Sequence, residues 1–459
     1  MRSNLDFGGI YMSDFRIHTG SLLGLMLVLV SVVFSSSAWA LNKSQSADWV
    51  KMLSRNATTE IDGTFYNPAG LAFLEGNGIH FSLSNIVGIQ DKSIQDQSEF
   101  FSANGLSDPY QGKIRSYVFP DLHAAYHSDD WTLYLTFMPT GGGGGGEYDN
   151  GLPQFDAMIL SEIYNAGITP SSYQRDMNFT GVSYNLGAGF GLAYQLNEMV
   201  SVAVGYRFTS AIREYSGSVT NMVVGIGEAE ITGEDLPDML SDAGVEVAAT
   251  GQGHSIILGL HLRPIEGLDI GIHTELNGEL EIENSTEFTG NPKLAELFSN
   301  TSFADGYKSV VTEAPMIAMG ASYQLSPDLM VAASLFCSLN SQATFGGRDD
   351  VMKDSYFTSV GAEYGVSDDL SLGIGYAHDS GWLKPEYRSD LDFSLVMHYV
   401  SFGVTYDVTS TIEITTGAMA NYAITAEDDT SLAPGGGLQT REEVLKLFTF
   451  GVAYHPAPG

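Results

Sequence analysis

Apolar and polar side chains alternate along most of the chain. In the clearest run, Val200, Val202, Val204, Tyr206 and Phe208 share one side, while the intervening positions are small or polar. A period of two is typical of β-strands with two different faces. The same alternation recurs in 400–406 and 448–454. We predict about fourteen strands, near 78–91, 115–127, 130–138, 174–195, 198–213, 246–263, 268–287, 306–325, 328–340, 355–366, 369–379, 394–407, 410–424 and 441–455.

Tight turns and long joints alternate between these strands. Gly191, Gly320, Gly361 and Gly403 each begin a Gly-x-x-Tyr run that leads into a short polar turn, and the runs at 122–126 and 259–262 end in similar turns. Tight turns at one end and long loops at the other are typical of an outer-membrane β-barrel, and an even strand number brings both barrel ends to one side. The predicted loops are 92–113, 139–173, 214–245, 288–305, 341–354, 380–393 and 425–440.

The predicted barrel assigns faces to side chains. The apolar face meets lipid, whereas Arg207 faces the lumen. Tyrosines precede the tight turns or the chain end, and we predict that they form a periplasmic aromatic rim, the alternative being a simple preference for strand ends. The glycine runs 141–146 and 435–437 are predicted to lie in loops, and no Lys-Ser/Thr follows 141–146 as in a phosphate-binding loop. The rim residues are Tyr126, Tyr194, Tyr323, Tyr364, Tyr406 and Tyr454.

The N-terminal region does not have the strand pattern. Arg16 and an apolar stretch from Leu22 to Phe34 precede Ala38 and Ala40, which predicts a secretory signal peptide over 1–40, with Met12 as an alternative start. Residues 41–77, which we call the hatch, contain a predicted helix beginning near Ser46. The barrel is predicted over 78–459. With one cysteine the chain has no disulfide framework.

The formal net charge of −35, with only 20 Lys and Arg residues, argues against nucleic-acid binding. We expect many carboxylates on the loops, where divalent cations would bridge them to outer-membrane lipids and lipopolysaccharide, although the charge could serve solubility alone. Catalytic motifs are absent from the sequence. His123 and His127 lie roughly 13 Å apart on a strand, which is too far for one metal ion. We therefore predict no enzyme activity, no cofactor and no metal site.

The segment 60–74 contains Asn67-Pro68-Ala69-Gly70 ahead of the first strand, and Phe137-Met138-Pro139-Thr140-Gly141 closes the third. With about fourteen strands behind it, this arrangement resembles the FadL/TodX family of outer-membrane transporters. The resemblance implies an all-β fold, a barrel of fourteen antiparallel strands plugged by an N-terminal hatch with the Asn-Pro-Ala motif. It also implies passive uptake of hydrophobic molecules and their lateral release at a kinked third strand around Phe137, Met138 and Pro139.

The resemblance leaves ligand contacts open. Phe65, Tyr66, Leu71 and Phe73 of the hatch are candidate pocket residues, but they could equally pack against the wall. An ionised fatty acid would need a cationic partner, for which the candidates are Arg207 and Arg213. The alternative for Arg207 is an ion pair with a lumen carboxylate such as Glu363. The chain also departs from the usual C-terminal aromatic residue by continuing past Tyr454 to Gly459.

The predicted function is outer-membrane uptake of hydrophobic molecules in a diderm bacterium, with long-chain fatty acids as the first expectation and a monomer as the expected state. Two alternatives remain open: a FadL-like barrel that handles proteins, as the shuttle barrels of the type IX secretion system do, and a nonspecific porin. A shuttle predicts a co-purifying protein partner and no lipid binding. A porin predicts ion conductance that a plugged lumen should not show.

Overall fold

The computed structural model describes residues 43, 45–293, 296, 304–312, 314–343, 351–390, 393–422, 424–429 and 438–457. The predicted signal peptide, 1–40, and the glycine run 435–437 lie outside these described residues.

Nineteen strands of the described chain form one antiparallel sheet that closes on itself, because β1 pairs with β19. The pairs β2–β3, β9–β10, β11–β12 and β17–β18 each make a single crossing of the wall, and β7 is a short hairpin in a loop, which leaves fourteen crossings. The predicted fourteen-stranded barrel is therefore confirmed. The strands are β1 (Gly78–Asp96), β2 (Tyr110–Ser116), β3 (Pro120–Ser128), β4 (Trp131–Tyr148), β5 (Ser172–Asn197), β6 (Val200–Ile226), β7 (Ala229–Thr232), β8 (Ala243–Ile265), β9 (Leu268–Asn277), β10 (Glu279–Gly290), β11 (Lys308–Thr312), β12 (Met316–Ser326), β13 (Leu329–Ser338), β14 (Ser355–Ser367), β15 (Leu370–Asp379), β16 (Met397–Thr409), β17 (Ile412–Asn421), β18 (Ile424–Asp429) and β19 (Leu438–Tyr454).

Several strands extend beyond their predicted ends. β1 continues to Asp96, β6 to Ile226 and β4 to Tyr148, so the run 141–146 lies in a strand and its placement in a loop was wrong. The predicted second strand is divided into β2 and β3. These extensions lie at the loop side, where polar residues replace the lipid-facing apolar ones and the simple alternation used for prediction fades.

Helices are short and lie in the hatch and loops. α1 (Ala47–Met52) begins as predicted, because the Ser46 side chain accepts a hydrogen bond from the Trp49 amide. No helix among the described residues is long and apolar enough to cross a membrane. The others are α2 (Gly63–Tyr66), α3 (Glu99–Ala103), α4 (Pro153–Asn165) and α5 (Pro237–Leu240), with 3₁₀ helices at Pro68–Phe73, Asn340–Gln342 and Pro385–Tyr387.

The two faces of the wall match the predicted alternation. Val204, Phe402 and Phe450 are each more than half exposed on the outside, whereas Arg207 is only 4% exposed on the inside. A continuous belt of exposed apolar side chains would be costly in water but suits a lipid environment. The outer wall is therefore the surface that faces hydrocarbon.

The hatch lies inside the barrel and touches the wall on several sides. α1 contacts β14 to β17, β19 and β1, while the 3₁₀ helix Pro68–Phe73 contacts β4, β5, β6, β8 and β9. Several wall residues that face hatch backbone are glycines. A Cβ atom at Gly361 would lie 2.3 Å from the Met52 carbonyl oxygen, and one at Gly271 would lie 2.0 Å from that of Asn56. The repeated glycines of the sequence thus let the hatch backbone approach the wall.

Candidate functional site

The Asn-Pro-Ala motif attaches the hatch to the barrel wall. The Asn67 side chain is completely buried, and its Nδ2 donates to the Thr58 carbonyl oxygen (2.7 Å) and to Nδ1 of His261 (2.7 Å). Because His261 Nδ1 accepts here, its Nε2 carries the proton and donates to Asp269 Oδ1 (2.8 Å). The Asn67 amide thus joins an earlier segment of the hatch to the barrel wall.

The rest of the motif is held through its backbone. The Ala69 carbonyl accepts a hydrogen bond from Ser201 Oγ (2.6 Å), and Pro68 begins the 3₁₀ helix, where its missing N–H costs nothing. A Cβ atom at Gly70 would lie 2.2 Å from the Thr58 carbonyl oxygen. The four motif residues therefore form one compact turn that fits directly against the wall.

Buried charges fix the other half of the hatch. Arg55 donates to both carboxylate oxygens of Asp62 (2.8 and 2.7 Å) and also pairs with Glu60. Burial alone would lower the pKa of Arg55, but Asp62 and Glu60 hold that pKa well above its usual value. Lys51 reaches across to the wall, where it pairs with Glu363 of β14 (3.1 Å).

The candidate hatch residues divide into two groups. Phe65 and Tyr66 belong to the large apolar cluster of the barrel interior, although the Tyr66 hydroxyl is bonded to the Lys43 carbonyl oxygen. Leu71 packs with Ala125, Tyr134 and other wall residues, and the Phe73 ring lies tilted beside the His261 ring and under Arg263. Only Phe65 and Tyr66 therefore belong to the interior cluster, and the pocket role of all four hatch residues stays a prediction.

The two lumen arginines, Arg207 and Arg213, have partners other than those we expected. Arg207 makes a bidentate ion pair with Glu275 of β9 (2.9 and 2.6 Å) and lies over the Phe65 ring. The suggested pair with Glu363 was wrong, because Glu363 bonds Lys51 on the other side of the hatch. Arg213 is buried on the same face and donates to the Tyr184 carbonyl oxygen (3.2 Å). Arg207 is therefore already neutralised, and no ligand role follows from its position alone.

Above the hatch, on the loop side, the barrel interior contains a large apolar and aromatic cluster, with the buried cations Lys92 and Arg441 over its Phe393 ring. Phe336 and Phe357 meet edge to face with ring centroids 6.2 Å apart, and the Phe357 ring lies 5.8 Å from that of Trp49 in the hatch. Such a lining favours hydrophobic guests over ions. The cluster also includes Ile86, Phe119, Met138, Phe179, Tyr215, Ile282, Phe393, Tyr399 and Leu447.

A gap interrupts the wall between the second and third crossings. Pairing of β2 with β4 ends at Arg115 and Gly145, and pairing of β3 with β4 begins only at Leu122 and Phe137. Residues 116–121 and 138–144 consequently have no ladder partners across this seam. Beside it, Tyr117 and Val118 are about two-thirds exposed on the outside, whereas Phe119 and Met138 belong to the interior cluster.

The local sequence explains why the ladder fails there. Pro120 and Pro139 stand at the two edges of the gap, and neither can donate a backbone hydrogen bond to the facing strand. β4 is also bulged, with register shifts between Pro139 and Gly141 and between Gly142 and Gly144. Gly142 and Gly144 have φ values of 89° and 92°, which side-chain-bearing residues rarely adopt. β4 is therefore bulged where the resemblance implies a kink, and the lateral-gate role of Phe137, Met138 and Pro139 stays a prediction.

The hatch touches both edges of this gap. Gln45 Nε2 donates to the Pro139 carbonyl oxygen (2.6 Å), and the Gln45 carbonyl oxygen lies 2.7 Å from His123 Nε2 on β3. The other ring nitrogen of His123 bonds Thr64 of the hatch. The segment between β2 and β3 is also held from β1, where the Asn85 side-chain amide bonds the Tyr117 carbonyl and the Phe119 N–H. These contacts were not predicted, since strand alternation reveals no partner between segments so distant in sequence.

An apolar groove lies at the loop end, beside the unpredicted helix α4. Its lining combines Phe155, Met158 and Ile159 of α4 with Met177 of β5 and Val219 of β6. Asp156 of the same helix is buried and bonded to Tyr110, Tyr173 and Arg175, which fixes the helix against the strands.

The six rim tyrosines all lie on the outer wall near the tight turns, between 40% and 52% exposed. Tyr194 is the register partner of Trp131, and Tyr454 is that of Ile412. The tail beyond Tyr454 folds back, because the His455 amide bonds the Thr411 carbonyl and Pro456 lies where a Cβ atom added at Gly76 or Gly78 would be 3.3 Å from its ring. The periplasmic role of this rim stays a prediction.

Solved structures with the same architecture exist. The chain matches a FadL homologue of Pseudomonas aeruginosa with a TM-score of 0.61 and 14% identity, over 89% of this chain and 98% of that one. It matches the toluene transporter TodX of Pseudomonas putida with a TM-score of 0.60 and 14% identity, over 87% and 95% of the two chains. The chain has the FadL/TodX fold. The toluene transporter TbuX of Ralstonia pickettii matches this fold with a TM-score of 0.52 and 14% identity, over 86% and 94%. No protein-family model and no curated protein sequence matches the chain.

Proposed function

We propose that this protein is an outer-membrane channel for the passive uptake of hydrophobic small molecules. The exposed apolar belt supports a place in a membrane, and the closed barrel with tight turns on one side supports an orientation with the long loops outside. The solved structures with the same fold are described as transporters, which supports this class of function.

The proposed route has three stages. Cargo first meets the apolar groove beside α4, then enters the aromatic interior above the hatch, and leaves sideways through the gap between β2–β3 and β4. A lateral exit suits a hydrophobic molecule, because the hatch side of the lumen is polar and charged whereas the gap opens towards lipid. The gap is the observation that carries the proposal.

Removal of the bulges in β4 tests the exit. Thr140 and Gly143 are the unpaired residues at the two register shifts, so deleting both should straighten β4 along β5 and narrow the gap. Uptake of radiolabelled oleate by cells that lack their own channel should fall at least tenfold, whereas binding of a fluorescent fatty acid to the purified protein should persist. Uptake at the unmodified rate would overturn the lateral exit.

A matched deletion controls for the loss of a bulge in itself. Val366 is the unpaired residue at the register shift between Gly365 and Ser367, near a tight turn and remote from the gap. Its deletion should leave uptake unchanged. Both proteins should keep the heat-dependent shift in gel mobility that reports a folded barrel.

The cargo class remains a separate part of the proposal. Long-chain fatty acids are the first candidates. The ion pair of Arg207 with Glu275 favours a second class, neutral hydrocarbons, because an ionised head group would have to displace Glu275. Competition by oleate, its methyl ester and toluene against a neutral fluorescent hydrocarbon distinguishes them. Stronger competition by oleate than by its ester would support fatty acids, and the reverse order would support neutral cargo.

A further inference from the structure

Most outward positions in the apolar belt are occupied by aliphatic or aromatic side chains, so the first ionisable residue at its loop-side edge is informative. On β19 the outward series Tyr454, Val452, Phe450 and Phe448 ends at Lys446. On β16 the series of outward residues ends at His398, and on β15 it ends at His378. All three of these residues can carry a positive charge, although the protein has a formal net charge of −35.

These positions form one surface. We call it the outer patch, and it consists of Tyr356, Tyr376, His378, His398, Tyr422 and Lys446. The rings of His378 and His398 lie 4.8 Å apart, and the Tyr356 ring lies 5.9 Å from that of His378. The register places Val400 beside Ala420, and Ala420 beside Lys446. From His398 to Lys446 the backbone separation is roughly 12 Å, since it spans two strand spacings and two residues along a strand.

A hydrogen bond orients one of the imidazoles. The Tyr376 hydroxyl lies 2.7 Å from Nδ1 of His398. With the hydroxyl as donor, Nδ1 accepts and Nε2 carries a proton, so the ring can donate to an anion even when it is neutral. The Lys446 ammonium adds a point charge on a long side chain among apolar neighbours.

We propose that the outer patch binds a phosphate group of an outer-leaflet lipid. A lysine and two imidazoles supply donors to phosphate oxygens, and the tyrosines supply the amphipathic surface that head groups contact. Its height fits this role. The stretch from Lys446 to Tyr454 rises about 20 Å across the wall at a typical strand tilt, close to the height of the apolar band of such barrels.

The opposite side of the barrel provides a contrast. There the Tyr206 hydroxyl bonds His254 in the same way, but the neighbouring strand β10 presents Glu279, Glu281 and Glu283 outward. This row of carboxylates repels phosphate, whereas beside the outer patch Asp91 is paired with Arg115 and Glu442 lies four residues beyond Lys446. The same tyrosine–histidine pair should therefore bind no phosphate there, which makes His254 a matched control.

The direct test uses the full-length protein in detergent with diphosphorylated lipid A as the probe, measured by native mass spectrometry and titration. Combined substitution of His378, His398 and Lys446 by alanine should weaken binding at least tenfold, and Lys446→Ala alone should weaken it severalfold. Lys446→Arg should retain affinity, as should His254→Ala. Unchanged binding by the triple variant, or a loss with His254→Ala as large as that of the triple variant, would overturn the proposal.

Three further arms identify the source of the affinity. Lipid A without phosphates should bind at least tenfold more weakly; equal binding would mean apolar contact only. Inorganic phosphate at millimolar concentration should not displace the lipid, and complete displacement would indicate a site for free anions instead. Chelation by EDTA should leave binding intact, whereas its loss would mean that divalent cations bridge lipid to carboxylates.

The proposal rests on the outer-membrane orientation given above but not on the cargo or its exit. The triple variant should bind fluorescent fatty acid normally. Conversely, deletion of Thr140 and Gly143 should leave lipid A binding unchanged. Failure of one proposal is therefore distinguishable from failure of the other.

Discussion

Replacement of Asn67 by alanine is expected to loosen the hatch while leaving the barrel folded. The substitution removes both hydrogen bonds of a side chain with no solvent exposure, and it leaves the Thr58 carbonyl oxygen and His261 Nδ1 without their donor. An unsatisfied buried group costs about 1–3 kcal/mol, so two of them, partly relieved by water or relaxation, give an estimate of about 2–4 kcal/mol. The barrel ladder is untouched by this change.

Hydrogen exchange measured by mass spectrometry tests this estimate. At about 1.4 kcal/mol for each tenfold change, hatch amides should exchange roughly 30-fold to several hundred-fold faster, while amides of β14 to β17 keep their protection. Asn77→Ala is the matched control, because that amide bonds Asp129 (3.0 Å) at an exposed position where water can replace it. Unchanged exchange in the hatch, or equal acceleration in the barrel strands, would refute the reasoning.

Two other predictions concern the hatch. Gly361→Leu should displace the hatch, because a Cβ atom there would lie 2.3 Å from the Met52 carbonyl oxygen. Planar-bilayer recordings of this variant should then show ion conductance. The control Gly365→Leu, where the atom nearest to an added Cβ is 3.8 Å away, should stay closed. A silent Gly361→Leu channel would contradict the close fit. Burial lowers the pKa of Lys51, but Asp48 and other carboxylates raise it further, so the pKa lies above its ordinary value. A raised lysine pKa contributes stability that is complete below the ordinary lysine pKa and is lost only as pH rises through the folded value. The protection of hatch amides, corrected for intrinsic exchange, should therefore keep the stabilising contribution of Lys51 between about pH 6 and 9. If protection falls over this range in the unmodified protein but not in Lys51→Met, the pKa of Lys51 is lowered and the prediction is wrong.

The resemblance implied a kink in the third crossing, where the structure has two bulges, but the extent of the gap was missed. The sequence shows Pro139 and the glycines that follow it, but we predicted that the glycine run lies in a loop. In isolation such a run has no strand propensity, and its place in β4 depends on pairing with β5. Nothing in the local sequence marks Pro120, the second proline at the gap, because its position opposite β4 is set by the fold.

The sequence by itself determined the barrel, its strand number and the face that each strand turns to lipid. These features follow from local alternation, because an apolar solvent outside the wall dictates every second side chain. It also determined where the 3₁₀ helix of the Asn-Pro-Ala motif begins, since proline at the first helical position fixes its own φ.

Only the tertiary structure decided which polar groups meet inside. Arg207 pairs with Glu275 rather than Glu363, and Asn67 meets His261, because strand register and the seat of the hatch set those distances. Interior partners come from segments far apart in the chain, and the alternating pattern specifies the face of a residue but not its neighbour across the lumen. For the same reason, the outer patch can be recognised only in the structure, where β14 to β19 lie side by side.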